Sequence, residues 1–354
     1  LKDASATAIY GSRAANGVVV VTTKAPEEGK LRVSYNMNMA INAPDLSDYN
    51  LMNAREKLQA ELDAGLYDSD DLYTQQLLRM DYAERLERVK KGVNTYWLSQ
   101  PLHVAVGHKH SLYVEGGDQS VRYGIDVNYQ ANPGVMKKSS RDRFGIGFLL
   151  SYNLNNKLLF RNKLTVDKVK AKESPYGSFK DYAKANPYDQ IYDEDGNLIK
   201  SYQPHVSTSN RFLNPLYEST LNNFSGSKYE ELIDNFGVNW MFAEHFQLKG
   251  DFSVTRRFST TERFVDPKSL QNKNESLSVN NMSSGSYNLS KSEELSWNTN
   301  ILFAYNQMVN GHNINLTAGM NIKANKSEGS SSQYKGFPSG SLNSINYAEE
   351  IYEK

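Results

Sequence analysis

Two histidines are the residues in this sequence best spaced to share a metal ion. His108 and His110 are two residues apart, so on a β-strand both imidazoles would lie on one face, where two ligands of one metal belong. The spacing supplies no third ligand, and two polar-tipped side chains on a sheet face are the simpler interpretation. The chain has no Cys, and its Ser, Asp and His residues form no nucleophile or carboxylate-pair motif. We therefore predict no catalytic residue, no metal site and no enzyme.

The acidic run DEDGN at 193–197 has the composition of a calcium loop without its register. A calcium loop needs alternating carboxylates before the Gly and a bidentate Glu after it, and neither is present. An Asp-Gly pair between two short apolar segments is instead a strong hairpin signal. The sequence therefore predicts a turn at Asp195 and Gly196, between 191–192 and 198–199.

The run AIYGSRAANGVVVVTTK at 8–24 combines a loop of small residues with a β-branched segment. A phosphate-binding loop follows a strand and opens a helix, whose N-terminal amides meet the anion. Here the order is reversed, because 1–10 predicts a short helix, 11–17 a loop and 18–24 a strand with apolar residues on both faces. The small residues of the loop therefore indicate that its backbone packs closely against a neighbouring segment, not that it binds a nucleotide. No cofactor is expected.

Composition excludes several classes of protein. The 354 residues contain 40 Lys and Arg against 40 Asp and Glu, so no net charge favours nucleic acid as a partner. The mean hydropathy is −0.63, and no apolar run approaches the roughly 20 residues that a membrane helix needs. A transmembrane β-barrel stays open, since its alternating strands average to a hydrophilic value. The chain begins at Leu1 without an export signal, which predicts an internal piece of a longer protein.

Alternating apolar and polar residues recur along most of the chain. Between 31 and 41 every odd position is apolar and the positions between are mainly polar, as on a strand with one apolar face. The same two-residue period returns in rows that begin at Val121, Phe144, Phe246 and Ile314. The pattern predicts a mainly β chain of about nine strands.

Strand length and connection length favour a barrel over a soluble sandwich. Many rows exceed ten residues, whereas soluble strands average about five or six and membrane strands need about 9 to 11. Short turns alternate with long connections at 42–102, 131–142, 171–230 and 259–286, as in outer-membrane barrels. A sandwich would show the same alternation with its faces reversed, so alternation alone leaves both open. An odd strand count predicts an incomplete barrel.

The first and third long connections carry further signals. The first predicts two helices, one with Ser47 as its cap and Gly65 as its stop, the other ending at Gly92. Their apolar stripes consist of Leu51, Leu58 and Leu62, and of Leu78, Tyr82, Leu86 and Val89. A helical hairpin packed within a loop is favoured over a partner-binding helix. The third connection is rich in aromatic rings that could stack on sugars, although packing against one another is favoured. These rings are Tyr176, Phe179, Tyr182, Tyr188, Tyr192, Tyr202, Phe212 and Tyr217.

The opening stretch, LKDASATAIYGSRAANGVVVVTTK, closely resembles the signature that ends the plug domain of SusC/RagA-like TonB-dependent outer-membrane transporters. The resemblance rests on Lys2, Asp3, Ala4, Tyr10, Gly11, Ser12, Arg13, Ala14, Ala15, Asn16 and Gly17. A looser likeness continues through SYNMNMA, HSLYVEGGDQSVRYGIDVNYQANPGVM, DEDGN and LNPL. It implies that residues 1–25 end a plug and that 26–354 form the first part of a 22-stranded barrel with long extracellular loops.

The resemblance also implies a function. A member of this family would import an oligosaccharide, or in some members a peptide, across the bacterial outer membrane. Its partners would be a SusD-like lipoprotein and a TonB complex, the latter contacted through a segment that precedes this sequence. Apolar rows would meet outer-membrane lipid, while polar rows with Arg122, Asp126, Asn128 and Lys163 would line the lumen. The alternative is a soluble or surface-displayed β-rich carbohydrate-binding module, and no substrate-binding residue is predicted.

Overall fold

The computed structural model describes residues 25–206, 212–269 and 285–353, and the signature at 1–24 lies outside them. Ten strands form one antiparallel sheet, so the predicted mainly β fold is confirmed with one strand more than expected. They are β1 (Gly29–Asn42), β2 (Ala105–Gly117), β3 (Val121–Pro133), β4 (Ser140–Leu154), β5 (Leu158–Lys172), β8 (Phe224–Ala243), β9 (Phe246–Val265), β10 (Ser286–Val309), β11 (His312–Lys335) and β12 (Glu350–Glu353). A separate ribbon pairs β6 (Ser201–Tyr202) with β7 (Phe212–Leu213).

Neighbouring strands of the main sheet follow one another in the chain. The order is β1-β2-β3-β4-β5-β8-β9-β10-β11-β12, and across the described residues β1 and β12 are its two open edges. The predicted short turns connect these strands. Asn155 and Asn156 have φ values of 50° and 52°, and Asn310 and Gly311 have 49° and 82°. Two consecutive left-handed residues are the backbone of a type I′ turn, which Asn and Gly tolerate and which matches strand twist.

Three of the predicted long connections are shorter than the sequence indicates. The third, predicted at 171–230, is bounded by the end of β5 at Lys172 and the start of β8 at Phe224. Between β3 and β4 only 134–139 remain outside strands, against 131–142 predicted. The strand β9 continues to Val265, so the fourth connection begins later than the predicted 259. In β9 from residue 259 onward both faces carry polar residues, so the two-residue apolar period that indicates a strand is lost.

The first long connection contains the two predicted helices, α1 (Ala54–Asp63) and α2 (Leu72–Lys90). The cap of α1 is Asn53, and the prediction of Ser47 is wrong. The Asn53 side chain accepts from the Glu56 amide at 2.9 Å, and the Glu56 carboxylate accepts from the Asn53 amide at 3.0 Å. This reciprocal capping box satisfies two amides that a helix start leaves free. Ser47 instead donates to Asp45, and Leu51, predicted in the apolar stripe, lies before the helix and is exposed.

The first and third long connections fold together as one unit, which we call the loop unit (43–104, 173–206 and 212–223). The third connection adds the short helix α3 (Phe179–Lys184). One core combines Ala54, Leu58, Tyr67 and Tyr188 with flanking Leu62, Leu78, Tyr82, Leu86 and Val89. A second combines Trp97, Tyr182 and Leu216 with flanking Tyr176, Ala185, Ile191, Leu198 and Tyr202. The helical hairpin therefore packs on a local core. Of the predicted aromatic rings, Tyr176, Tyr182 and Tyr202 share the second core and Tyr188 lies in the first, whereas Tyr192 and Phe212 are exposed. No helix in the described ranges is both long enough and apolar enough to cross a membrane.

Candidate functional site

The main sheet has one apolar and one polar face. On the apolar face, the band of apolar side chains ends along a line that runs obliquely across the strands. One row of directly opposed residues begins at apolar Met37, passes through His110, Tyr129 and Phe144, and becomes charged at Lys168. The same row continues through Glu230, Phe258, Glu293 and Glu328. The apolar band therefore steps toward the short turns from β1 to β11. This slant is expected when the strands of a barrel are tilted and staggered and the apolar band is perpendicular to the barrel axis.

The polar face brings together the residues predicted to line a lumen. Arg122 and Asp126 lie on β3 with Asn128, and Asp126 and Asn128 face Gly147 and Gly145 of β4. Lys163 of β5 is on the same face, opposite Asn235. The glycines of β4 leave room for carboxylates, since a Cβ at Gly147 would collide with the Asp126 carboxylate.

Ion pairs cross the strands on this polar face. Arg143 donates to Asp167 through two bonds of 3.0 Å and 2.8 Å, and the Asp167 side chain is 8% exposed. Such a bidentate geometry fixes both side chains. Further along, Arg257 donates to Glu231 and its guanidinium carbon lies 5.1 Å from the centre of the Tyr229 ring. Sequence reasoning missed both pairs, because only the strand register brings these residues together.

A cavity of about 550 Å³ opens on the polar face across β5, β8, β9 and β10. Its charged and polar lining includes Arg161, Lys163, Asn235, Asp251, Ser253 and Asn298. Ser253 donates to Asn235 at 2.8 Å. Donors, acceptors and both signs of charge in this lining are the groups that would complement a polar, hydrogen-bonding solute.

The segment that leads into β1 lies against this polar face. Ala25 lines the cavity, and Pro26 is fully buried. Arg32 of β1 donates to Glu115 at 3.0 Å and to Glu27 at 2.6 Å. The Glu27 amide also donates to Glu115, at 3.0 Å. This network fixes where the chain enters the sheet, on the polar side.

His108 and His110 share a face as predicted, and it is the apolar one. Tyr35 Oη lies 2.6 Å from His110 Nδ1, and His110 Nε2 lies 3.1 Å from His108 Nδ1. The imidazoles thus satisfy one another in a chain that Tyr35 begins. Within the described ranges, no three or more His, Asp or Glu side chains form a group able to hold a metal ion.

The acidic run DEDGN forms the predicted turn. Tyr192 and Leu198 pair across it, and Gly196 has a φ of 79°. The Asp193 carboxylate accepts from the amides of Asp195 at 3.1 Å and Asn197 at 2.7 Å. These bonds hold the backbone turn, which is the local role that an Asp in this position usually has.

A buried polar network connects the parts of the loop unit. Glu61 of α1 accepts from Tyr67 at 2.7 Å and from Tyr188 at 3.0 Å, and Arg85 of α2 donates to Tyr67 at 2.7 Å. Burial raises the pKa values of Tyr67 and Tyr188, so both remain neutral donors.

Asp189 makes the second buried link of the loop unit. Its carboxylate lies 3.2 Å from Arg88, and its carbonyl accepts from Thr95 at 2.8 Å. Burial raises the pKa of Asp189 to about 6, although the charge of Arg88 opposes that shift. The neighbouring Asn186 carbonyl accepts from Trp97 at 2.8 Å. Sequence reasoning missed these residues, which lie far apart in the chain and carry no local motif.

Aromatic residues border the apolar band on the side of the short turns. Trp240, Phe246 and Tyr305 cluster there, with 4.8 Å between the ring centres of Phe246 and Tyr305. On the opposite side the band ends at charged residues. A tilted apolar band with an aromatic border, short turns on one side and long loops on the other are features of outer-membrane β-barrels, and the open sheet of this chain shares them.

The comparisons with known proteins agree with this class. The chain is 35% identical over 144 residues to the TonB-dependent receptor SusC of Bacteroides thetaiotaomicron, a match that covers 41% of this chain and 13% of that protein. It is 26% identical over 208 residues to the TonB-dependent receptor P39 of Formosa agariphila, covering 56% of this chain and 18% of that protein. No protein-family model matches.

Solved structures of the RagAB peptide importer share the fold. In its open-open state the superposition gives a TM-score of 0.76 at 19% identity and covers 100% of this chain and 42% of the other. The chain is thus SusC/RagA-like in sequence and in fold, which confirms the resemblance given from the opening residues. It spans less than a fifth of the length of the curated relatives SusC and P39.

Proposed function

We propose that this chain is part of a TonB-dependent importer of the bacterial outer membrane, with no catalytic role of its own. Residues 1–25 would end the plug, with Lys2 to Gly17 as its signature, and 26–354 would contribute barrel strands and extracellular loops. The oblique apolar band carries this proposal, because a level lipid boundary on tilted strands accounts for it. The position of Ala25 and Pro26 on the polar face supports a plug on that side.

In this arrangement the apolar face meets lipid and the polar face lines the lumen. Large apolar side chains such as Val33, Ile41 and Leu316 are more than half exposed, which suits contact with acyl chains. The polar face offers amides, hydroxyls and ion pairs to a hydrated solute. Import then consists of recognition and gating, with no bond made or broken.

The substrate we favour is an oligosaccharide, captured together with a SusD-like lipoprotein. The cavity beside Ala25 presents Asn235, Ser253 and Asn298, whose amides and hydroxyl suit sugar hydroxyl groups. A peptide is the second candidate, since the matching RagAB structures are of a peptide importer. The charges of Arg161, Lys163 and Asp251 in the same cavity suit peptide termini and side chains.

Expression of the complete gene product in a Gram-negative host with and without TonB tests the proposal. We expect outer-membrane recovery, heat-modifiable migration, co-purification of a lipoprotein and uptake that needs TonB. Oligosaccharide and peptide pools supplied in parallel separate the two substrates. Recovery as a soluble monomer without detergent would contradict the proposal and favour the β-rich binding module.

A further inference from the structure

Two ion pairs mark the boundary of the apolar band on the side of the long connections. On β5 the apolar row ends at Val166, and the next residue on that face, Lys168, pairs with Glu230 of β8 at 2.7 Å. On the neighbouring strands Arg256 pairs with Glu293 at 2.7 Å. Residues beyond these pairs therefore lie at the height of lipid headgroups if the band spans the hydrocarbon.

A cleft of about 410 Å³ lies directly above these pairs on the apolar face. Four lysines line it, Lys138, Lys170, Lys172 and Lys228, and we call it the lysine cleft. Two carboxylates, Glu173 and Glu262, also line it, so the lysines leave an excess of positive charge.

The lysines of the cleft form no ion pair in the described part of the chain, although Asp142 of β4 lies directly opposite Lys170 and Glu230 interacts electrostatically with Lys228. Lys170 of β5 lies directly opposite Lys228 of β8, and like charges in this position destabilise a strand pair. The Nζ of Lys138 lies 6.0 Å from the centre of the Tyr176 ring. Within the described ranges none of the four lysines forms an ion pair with a carboxylate, in contrast to Lys168 one row below. An anion held between Lys170 and Lys228 would relieve their repulsion.

We infer that the lysine cleft binds the phosphate of a lipid headgroup in the membrane leaflet on the long-connection side. The cleft opens on the outer side of the sheet, away from the cavity on the polar face, so a solute in transit would not meet it. Its height, just above the apolar band, is that of a headgroup whose acyl chains lie along Val166 and Leu232. This inference rests on the proposed position in an outer membrane.

The test is retention of a phosphorylated lipid by the purified full-length protein. Bisphosphorylated lipid A in detergent micelles is titrated into the protein and followed by native mass spectrometry, with dephosphorylated lipid A and inorganic phosphate as parallel probes. Each lysine near an anionic headgroup increases the affinity for the lipid roughly fivefold. The double variant Lys170→Gln with Lys228→Gln should therefore weaken retention about 30-fold. The effect should shrink at high salt because these charges are exposed.

Matched variants separate binding from folding. Lys157→Gln with Lys249→Gln removes the same charge at the short-turn end of the sheet and should retain lipid as the wild type does. Lys170→Arg with Lys228→Arg should also retain it. The inference would be overturned if the two double glutamine variants retained lipid A equally. It would also be overturned if the wild type retained dephosphorylated lipid A as well as the bisphosphorylated form. Binding of inorganic phosphate without preference for the lipid would overturn it in favour of a soluble anion. Because these measurements use detergent micelles and no uptake assay, their failure is distinguishable from failure of the import proposal.

Discussion

Aromatic side chains are buried in the cores of the loop unit and exposed on the apolar band of the sheet. In the loop unit Tyr182 and Tyr188 are 0% and 1% exposed, buried by neighbours from the same chain. On the apolar face of the sheet Tyr35 and Phe148 are 59% and 40% exposed. The loop unit thus carries its own core. The sheet has a buried cluster where Phe264, Tyr287 and Tyr334 meet near the long connections, but the side chains of its apolar band are exposed. The hydrophobic effect stabilises the loop unit through chain contacts, and it would act on the exposed side chains of the band through a nonaqueous environment.

The largest effect should follow from removing a buried ring of the loop unit. Tyr188→Ala leaves a cavity between α1 and α2 and deprives Glu61 of a donor, so we expect the unit to lose about 3 to 5 kcal/mol. Limited proteolysis should then cleave the loop unit while heat-modifiable migration of the barrel persists. Tyr192→Ala, at an exposed ring, is the control and should leave the pattern unchanged. Loss of barrel folding in Tyr188→Ala would show that the two regions are one cooperative unit.

On the sheet the decisive change is a charge on the apolar face. Phe148→Arg should cost on the order of 2 to 4 kcal/mol if that side chain lies at the membrane midplane. Asn128→Arg, on the polar face, should cost far less. A urea titration of folding into lipid vesicles measures both. Equal costs would contradict the assignment of the two faces.

The loop unit should also respond to pH through Asp189. Its folded pKa of about 6 lies above the ordinary value of 3.8, so the folded state holds a proton that the unfolded state releases between these values. Stability from this group is therefore full below about pH 4 and falls as the pH rises to 6, by at most ~3 kcal/mol. Protease resistance of the loop unit at pH 4.5 and 7, compared between the wild type and Asp189→Asn, measures this part. An identical pH response in both would exclude Asp189 as its source.

Local periodicity was enough to predict most of the sheet. Neighbouring residues are enough to predict a strand whose two faces differ in polarity, such as β1, and a turn such as Asn155-Asn156. The part of β9 after residue 258 was missed because polar residues occupy both faces there. In that segment the backbone pairing with neighbours, rather than burial, determines the strand.

The polar contacts of the candidate site were beyond sequence reasoning for a different reason. Arg143 and Asp167 meet only because β4 and β5 pair in one register, and a shift of one residue would turn them to opposite faces. Arg88 and Asp189 are 101 residues apart. Neither pair has a local motif, so the three-dimensional structure is needed to find them.

The smallest effect concerns the cap of α1, where sequence and structure disagree. Ser47 and Asn53 are both good capping residues, but only Asn53 has a Glu three residues later to complete the box. Asn53→Ala should therefore cost the loop unit about 1 kcal/mol, seen as faster proteolysis near α1. Ser47→Ala should change the cleavage rate near α1 little, because the Ser47 bonds to Asp45 lie outside the helix. If Ser47→Ala instead destabilised the unit as much as Asn53→Ala, the segment before α1 would be part of its core rather than an exposed lead-in.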